Sequence, residues 1–213
     1  MKNGNIDNIF IYWIYFVSII LISIYILESF DFISGLFRED ISYISSIIVF
    51  IFTFYLFRGG YHLYKLRHAI HSLVQDNLNS KNNIFIEILD EYRSSLSNIS
   101  NKKSFQEQLK SRLYEIVDNG FFVADILLKL GIIGTVIGFI IMLSSLSTID
   151  EMNLSKMNNL LLSMSSGMKV ALYTTLSGLI CSILLTIQNN YFENKINNFI
   201  SIILSSDDNE KKD

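Results

Sequence analysis

Four apolar stretches run along the chain, separated by segments in which charged and polar residues return. The first extends from Ile9 to Leu27 without a charge, the second covers about residues 41–57 and stops at Arg58, and the third and fourth cover about 127–147 and 168–188. A helix needs ~20 mostly apolar residues to cross a bilayer core, so each stretch predicts a transmembrane span. The first is longer than the apolar region of a secretory signal, and Glu28-Ser29-Phe30-Asp31 follows it in place of a small-residue cleavage site. It is read as a retained span.

Between spans two and three the pattern changes from continuous to periodic. Apolar residues recur at helical spacing in Ile84, Ile88, Leu89 and Tyr92, and again in Phe105, Leu109, Leu113 and Ile116. Polar residues from Ser94 to Lys103 predict a turn between two helices. After span four, Tyr191, Phe192, Ile196, Phe199, Ile200 and Ile203 continue an amphipathic helix. Asp207 to Asp213 form a charged tail that is expected to be disordered. The fold expected is an all-α membrane protein: four transmembrane helices, with a cytoplasmic helical extension between spans two and three. Its expected divisions are a first transmembrane hairpin over 1–58, a helical segment over 59–120, a second hairpin over 121–192 and a C-terminal helix and tail over 193–213.

Charge in the connecting segments sets an orientation. The 28–41 loop carries Glu28, Asp31, Glu39 and Asp40 against Arg38 alone, whereas Arg58, Lys65 and Arg67 follow span two, with His62, His68 and His71 beside them. The excess of Lys and Arg marks the cytoplasmic side. Both termini and the 59–120 segment are then cytoplasmic, and the 28–41 and 148–166 loops face outward. Overall composition agrees with a membrane protein: 50% of residues are hydrophobic, mean hydropathy is +0.37 and only 17% are charged. A net charge of -3 argues against nucleic acid as a ligand. Cys181 is the only cysteine, which excludes an intrachain disulfide, and in its apolar run it reads as a buried, inert thiol.

Two spans carry a stripe of small residues. In span three Gly131, Gly134, Thr135, Gly138, Met142 and Ser145 fall within ~100° of one another around the helix, as do Gly167, Ala171, Thr175, Gly178, Ser182 and Thr186 in span four. Thr174 adjoins the second stripe. Small residues let helices approach closely in lipid. Their hydroxyls can bond their own helix or touch water and ions. The pattern alone favours a packing seam over a pore. No acidic residue lies within any of the four apolar cores, so a proton path would need its titratable group from another chain.

The run Gly131-Ile132-Ile133-Gly134-Thr135-Val136-Ile137-Gly138 resembles one signature of the MotA/TolQ/ExbB proton-channel family. Gly167-Met168-Lys169-Val170-Ala171-Leu172-Tyr173-Thr174-Thr175-Leu176-Ser177-Gly178-Leu179 resembles the other, in the same order. The likeness covers roughly residues 120–195. Lys169 and Val170 stand where several members carry Glu, and Leu128 where some carry Pro. The resemblance implies a homo-oligomer, a pentamer, in the bacterial inner membrane. It would surround two copies of a single-span partner of the ExbD/TolR/MotB kind with an Asp in its membrane helix. The same resemblance implies that no cofactor is needed, that protons are the transported ion with sodium as the alternative, and that Thr135, Thr174, Thr175 and Ser182 line the ion path. A structural or scaffolding membrane protein is the competing expectation. An enzyme is not expected, since no phosphate loop, nucleophile elbow or metal motif occurs.

The remaining polar residues have plainer readings. Asp125 and Lys129 predict an i,i+4 ion pair on the face away from the glycines. His68 and His71 share a helix face without further ligands, which suits a solvated or headgroup-facing position better than a metal. Trp13 with Tyr12 and Tyr15 suits an interfacial aromatic belt, and Lys169 suits a lysine snorkelling to the outer boundary.

Overall fold

No proline interrupts the chain, so its long apolar runs can stay helical end to end. The computed structural model describes residues 8–29, 34, 43–74, 84–86, 88, 102–144 and 154–209. It contains four long helices: α1, Asn8–Glu28; α2, Ile44–Val74; α3, Lys102–Ser144; and α4, Leu154–Asn209. Each is long and apolar enough to cross a membrane, and the chain is an all-α, multi-pass membrane protein. At ~1.5 Å per residue, the 43 residues of α3 and the 56 of α4 far exceed a ~30 Å hydrocarbon core. Both helices therefore continue outside it, as does α2 beyond Arg58, forming the helical extension that the periodic segments predict. Residues 84–86 and 88 add a short helical piece.

The described residues form two compact units. The first comprises residues 1–17, 56–121 and 187–213, and the second residues 18–55 and 122–186. The first has a conventional hydrophobic core. Leu63, Leu66, Ala69 and Ile70 of α2, Leu109, Leu113 and Val117 of α3, and Phe192, Ile196, Phe199, Ile200 and Ile203 of α4 are all buried in one cluster. Their spacings of three and four residues are those of one helix face. The Phe85 and Phe199 rings meet edge to face, 6.1 Å apart, an arrangement favoured by the ring quadrupoles. The second unit buries less. Ile48 and Phe52 of α2, Leu127 of α3 and Val170 and Leu185 of α4 are inside, while Ile132, Val136, Phe139, Leu172 and Ile183 are exposed, as befits helices whose other faces meet lipid or other chains.

Several expectations are corrected. Span two starts at Ile44, because Tyr43 has a left-handed backbone, φ 56°, which a right-handed helix cannot pass through. The outer loop is shorter than 148–166, since Leu154 to Ser166 are already helical. With no Gly or Pro before Gly167, nothing in that segment breaks the helix. Lys102 and Lys103 begin α3, and Asp207 to Asn209 belong to α4. In the 84–88 piece, Phe85 and Ile86 are buried while Ile84 is exposed, so the core face is displaced from the one expected. On α3, Val117 is fully buried and Ile116 only partly. Trp13 is a packing residue: its ring lies against Gly60 and the core cluster of the first unit, whereas Tyr12 and Tyr15 are exposed. The charges of the 31–40 loop, Leu89 to Ser100, and the side chains of His71 and Phe105 lie outside the described residues.

Phe199 and Phe139 give a direct contrast. Phe199→Ala should destabilise the protein by ~3–5 kcal/mol, seen as a clear drop in thermal midpoint in detergent. Phe139→Ala, at an exposed position, should leave the midpoint nearly unchanged.

Candidate functional site

The second unit is organised by the contact of α3 with α4. In lipid, apolar side chains gain little by hiding from one another, so helices associate through close packing and polar contacts. Glycine provides the closest approach. A Cβ placed on Gly178 would stand 2.8 Å from the Gly131 Cα and 2.9 Å from the Leu127 carbonyl oxygen. One placed on Gly138 would stand 2.6 Å from the Ala171 nitrogen and 2.7 Å from its Cβ. At Gly167 the nearest atoms are the Met142 nitrogen at 2.7 Å and the Gly138 carbonyl oxygen at 2.9 Å. Gly134 faces the Thr174 side chain. The two small-residue stripes thus meet each other within one chain, from Leu127–Gly178 at one end to Met142–Gly167 at the other.

Thr174 is wholly buried in this seam, with its hydroxyl donating to the Val170 and Ala171 carbonyls at 2.9 and 3.1 Å. Thr175 is half-buried. It donates to the Ala171 carbonyl at 2.9 Å, and its oxygen is 3.4 Å from the Gly131 carbonyl of α3. Thr135, also half-buried, donates to the Ile132 carbonyl. Ser182 is 9% exposed, and Thr186 bonds back to its carbonyl at 2.8 Å. The sequence reading passed over Ser177, which is buried and donates to the Thr174 carbonyl at 2.9 Å. Its signal was available as a hydroxyl one residue from Gly178. Ser145 lies outside the described residues.

Those threonine bonds have a chemical consequence. A hydroxyl whose proton is given to its own helix retains lone pairs. With the proton given to their own helix, Thr135 and Thr175 present acceptor lone pairs, and donating to a ligand requires the hydroxyl to turn from its carbonyl. In that orientation they match a protonated carboxyl, a hydrogen-bonding water or a bare cation, whereas a carboxylate is bonded only after the hydroxyl turns toward it.

Charged groups stay out of the seam. Lys129 and Asp125 form the expected i,i+4 pair, both largely exposed, and Lys169 is exposed. Cys181 is buried. Among the described residues no three His, Cys, Asp or Glu are placed to hold a metal.

In the first unit a further polar arrangement went unread in the sequence. Gln188 and Asn189, adjacent on α4, are both buried. Gln188 lies against Gly59 and its Nε2 donates to the Leu56 carbonyl at 3.2 Å, while Asn189 fills the space over Gly120. The signal was two amides directly following an apolar span, with glycines on the neighbouring helices to receive them.

The glycines differ in how much room they have, and so should their variants. Gly138→Val and Gly178→Val should each cost several kcal/mol, since overpacking alone costs ~1–3 kcal/mol and the obstacles include backbone. Gly131→Ala, whose nearest atoms are at 3.2 Å, should cost distinctly less. Denaturant unfolding of the purified variants in detergent checks this order.

No curated protein and no solved structure matches the chain. Residues 121–204, which include the whole α3–α4 seam, match the model of the MotA/TolQ/ExbB proton channel family. That stretch of the chain is similar to this family, and the chain as a whole carries four helices long and apolar enough to cross a membrane.

Proposed function

We propose that the chain is the channel-forming subunit of an ion-driven motor or energy-transducing complex in a bacterial inner membrane. It works as a pentamer around two copies of a single-span partner that carries a membrane Asp. The observation that carries this reading is the coincidence of the family match with the α3–α4 seam and its half-buried threonines. The seam contains no acid and no His, so it has no relay of its own for protons. The partner Asp supplies it. Protonation of that Asp removes a charge that is costly away from water and produces the O–H donor that Thr135 and Thr175, both acceptors, can receive. Thr174 and Ser182 border this path from within the seam. Each elementary charge crossing 100 mV releases ~2.3 kcal/mol, enough to bias stepwise motion between subunits. The transported ion is the proton in this reading, and the basic flank after span two, with both termini, is cytoplasmic.

The seam itself favours the second reading, a scaffolding protein, in one respect: its glycines are occupied by contacts within the chain. A pure scaffold would purify without a single-span partner and would be indifferent to the hydroxyls.

Thr175→Val keeps the shape and removes the hydroxyl. Proton flux into proteoliposomes holding the chain and its co-purifying partner should fall by about twofold to tenfold, the worth of one neutral hydrogen bond at ~0.5–1.5 kcal/mol. Oligomer size by native mass spectrometry should not change. Undiminished flux would remove Thr175 from the path.

A further inference from the structure

We propose that a cleft in the first unit, between α2, α3 and the 84–88 piece, binds the phosphate of an anionic phospholipid headgroup. This goes beyond the proposed ion path and holds whether or not the chain conducts. The cleft has a volume of about 320 Å³, within the ~300–1,000 Å³ of small-ligand sites. Arg58, His62, Arg112, Glu115 and Asn119 provide its polar wall, and Ile84, Ile88 and Ile116 its apolar one.

Three observations point to a lipid phosphate. First, the charge is right: among the described lining residues, two guanidiniums face one carboxylate. Both arginines already take part in other contacts, but each guanidinium carries five N–H donors in a fork that suits phosphate oxygens. Second, His62 is one of the lining residues, and its Nδ1, enclosed by protein, has no hydrogen-bond partner, so the ring can turn toward a ligand without breaking a bond at that atom. Third, the level is right. About 20 residues of helix from Ile44 reach His62, so Arg58 and His62 lie where a bilayer places its headgroups. Arg58 is the first charge of α2 after fourteen residues without one. Basic pockets between transmembrane helices at this depth are suited to anionic headgroups. The isoleucines would cover the glycerol and upper acyl carbons.

The test titrates the full-length protein in mild detergent with dioctanoyl phosphatidylglycerol, dioctanoyl phosphatidylcholine and inorganic phosphate, reading bound ligand by native mass spectrometry. Phosphatidylglycerol should bind at least tenfold more tightly than phosphatidylcholine. Arg58→Gln should weaken it about tenfold and Arg58→Lys much less. Arg67→Gln, which removes the same charge from the same helix outside the cleft lining, should weaken it less than threefold. Arg112→Gln gives an independent reading should Arg58→Gln fail to fold. Equal binding of the two lipids would overturn the proposal. So would equal effects of Arg58→Gln and Arg67→Gln, which would mean a diffuse surface potential. Displacement of the lipid by inorganic phosphate at matched concentration would also overturn it, by making this a site for soluble phosphate.

Discussion

Two helices in lipid have no solvent to escape by pairing, so their pairing rests on how closely their backbones can come. In this chain that distance is set by Gly178 standing over Gly131 and Gly138 over Ala171. Each atomic contact so gained contributes only ~0.1–0.2 kcal/mol, but along a seam of several turns the contacts add. The rest of the second unit depends on this. Thr174 has a fixed position because Gly134 leaves room for it, and Thr175 approaches an α3 carbonyl because Gly131 has no side chain between them. The first unit is held differently, by phenylalanine, leucine and isoleucine gathered into an ordinary hydrophobic core.

The seam also determines what chemistry the helices can offer. A hydroxyl in an apolar setting cannot leave its proton without an acceptor, and the nearest acceptors are the carbonyls of its own helix. Thr135, Thr174, Thr175 and Ser177 all make that choice. The wall so formed has oxygens with spare lone pairs and no titratable group. Such a wall discriminates between the two states of a carboxylic acid moving past it. It receives the neutral acid directly, whereas bonding the anion requires a hydroxyl to turn from its carbonyl. In the proposed function this is the physical basis for dividing the ion path between two polypeptides, with the titration on one and the receiving surface on the other.

Much of this could be read from the sequence because the relevant signals are local. Helices of ~20 apolar residues are visible in hydropathy, and the glycine and threonine stripes are visible because residues three and four apart share a face. The heptad-like apolar positions of α4, from Phe192 to Ile203, were legible for the same reason. What escaped depends on contacts distant in sequence or on backbone detail. Trp13 reads as an interfacial aromatic until Gly60, far along the chain, is seen to accept its ring. Ile84 and Ile88 have the right spacing, yet Phe85 and Ile86 are the buried pair, because a short segment with apolar residues on two faces does not specify which one turns inward. The outer end of α4 reaches into the stretch expected as a loop because no Gly or Pro between Leu154 and Gly167 interrupts the helix.

In the proposed function this chain supplies the receiving wall and another supplies the titrating acid. Proton flux into proteoliposomes under an imposed potential tests it most directly, comparing the purified chain alone with the chain and its single-span partner. No flux is expected from the chain alone, with flux appearing when the partner is present and vanishing when the partner's membrane Asp is changed to Asn. Flux through the chain alone, or flux that survives that Asp-to-Asn change, would contradict it.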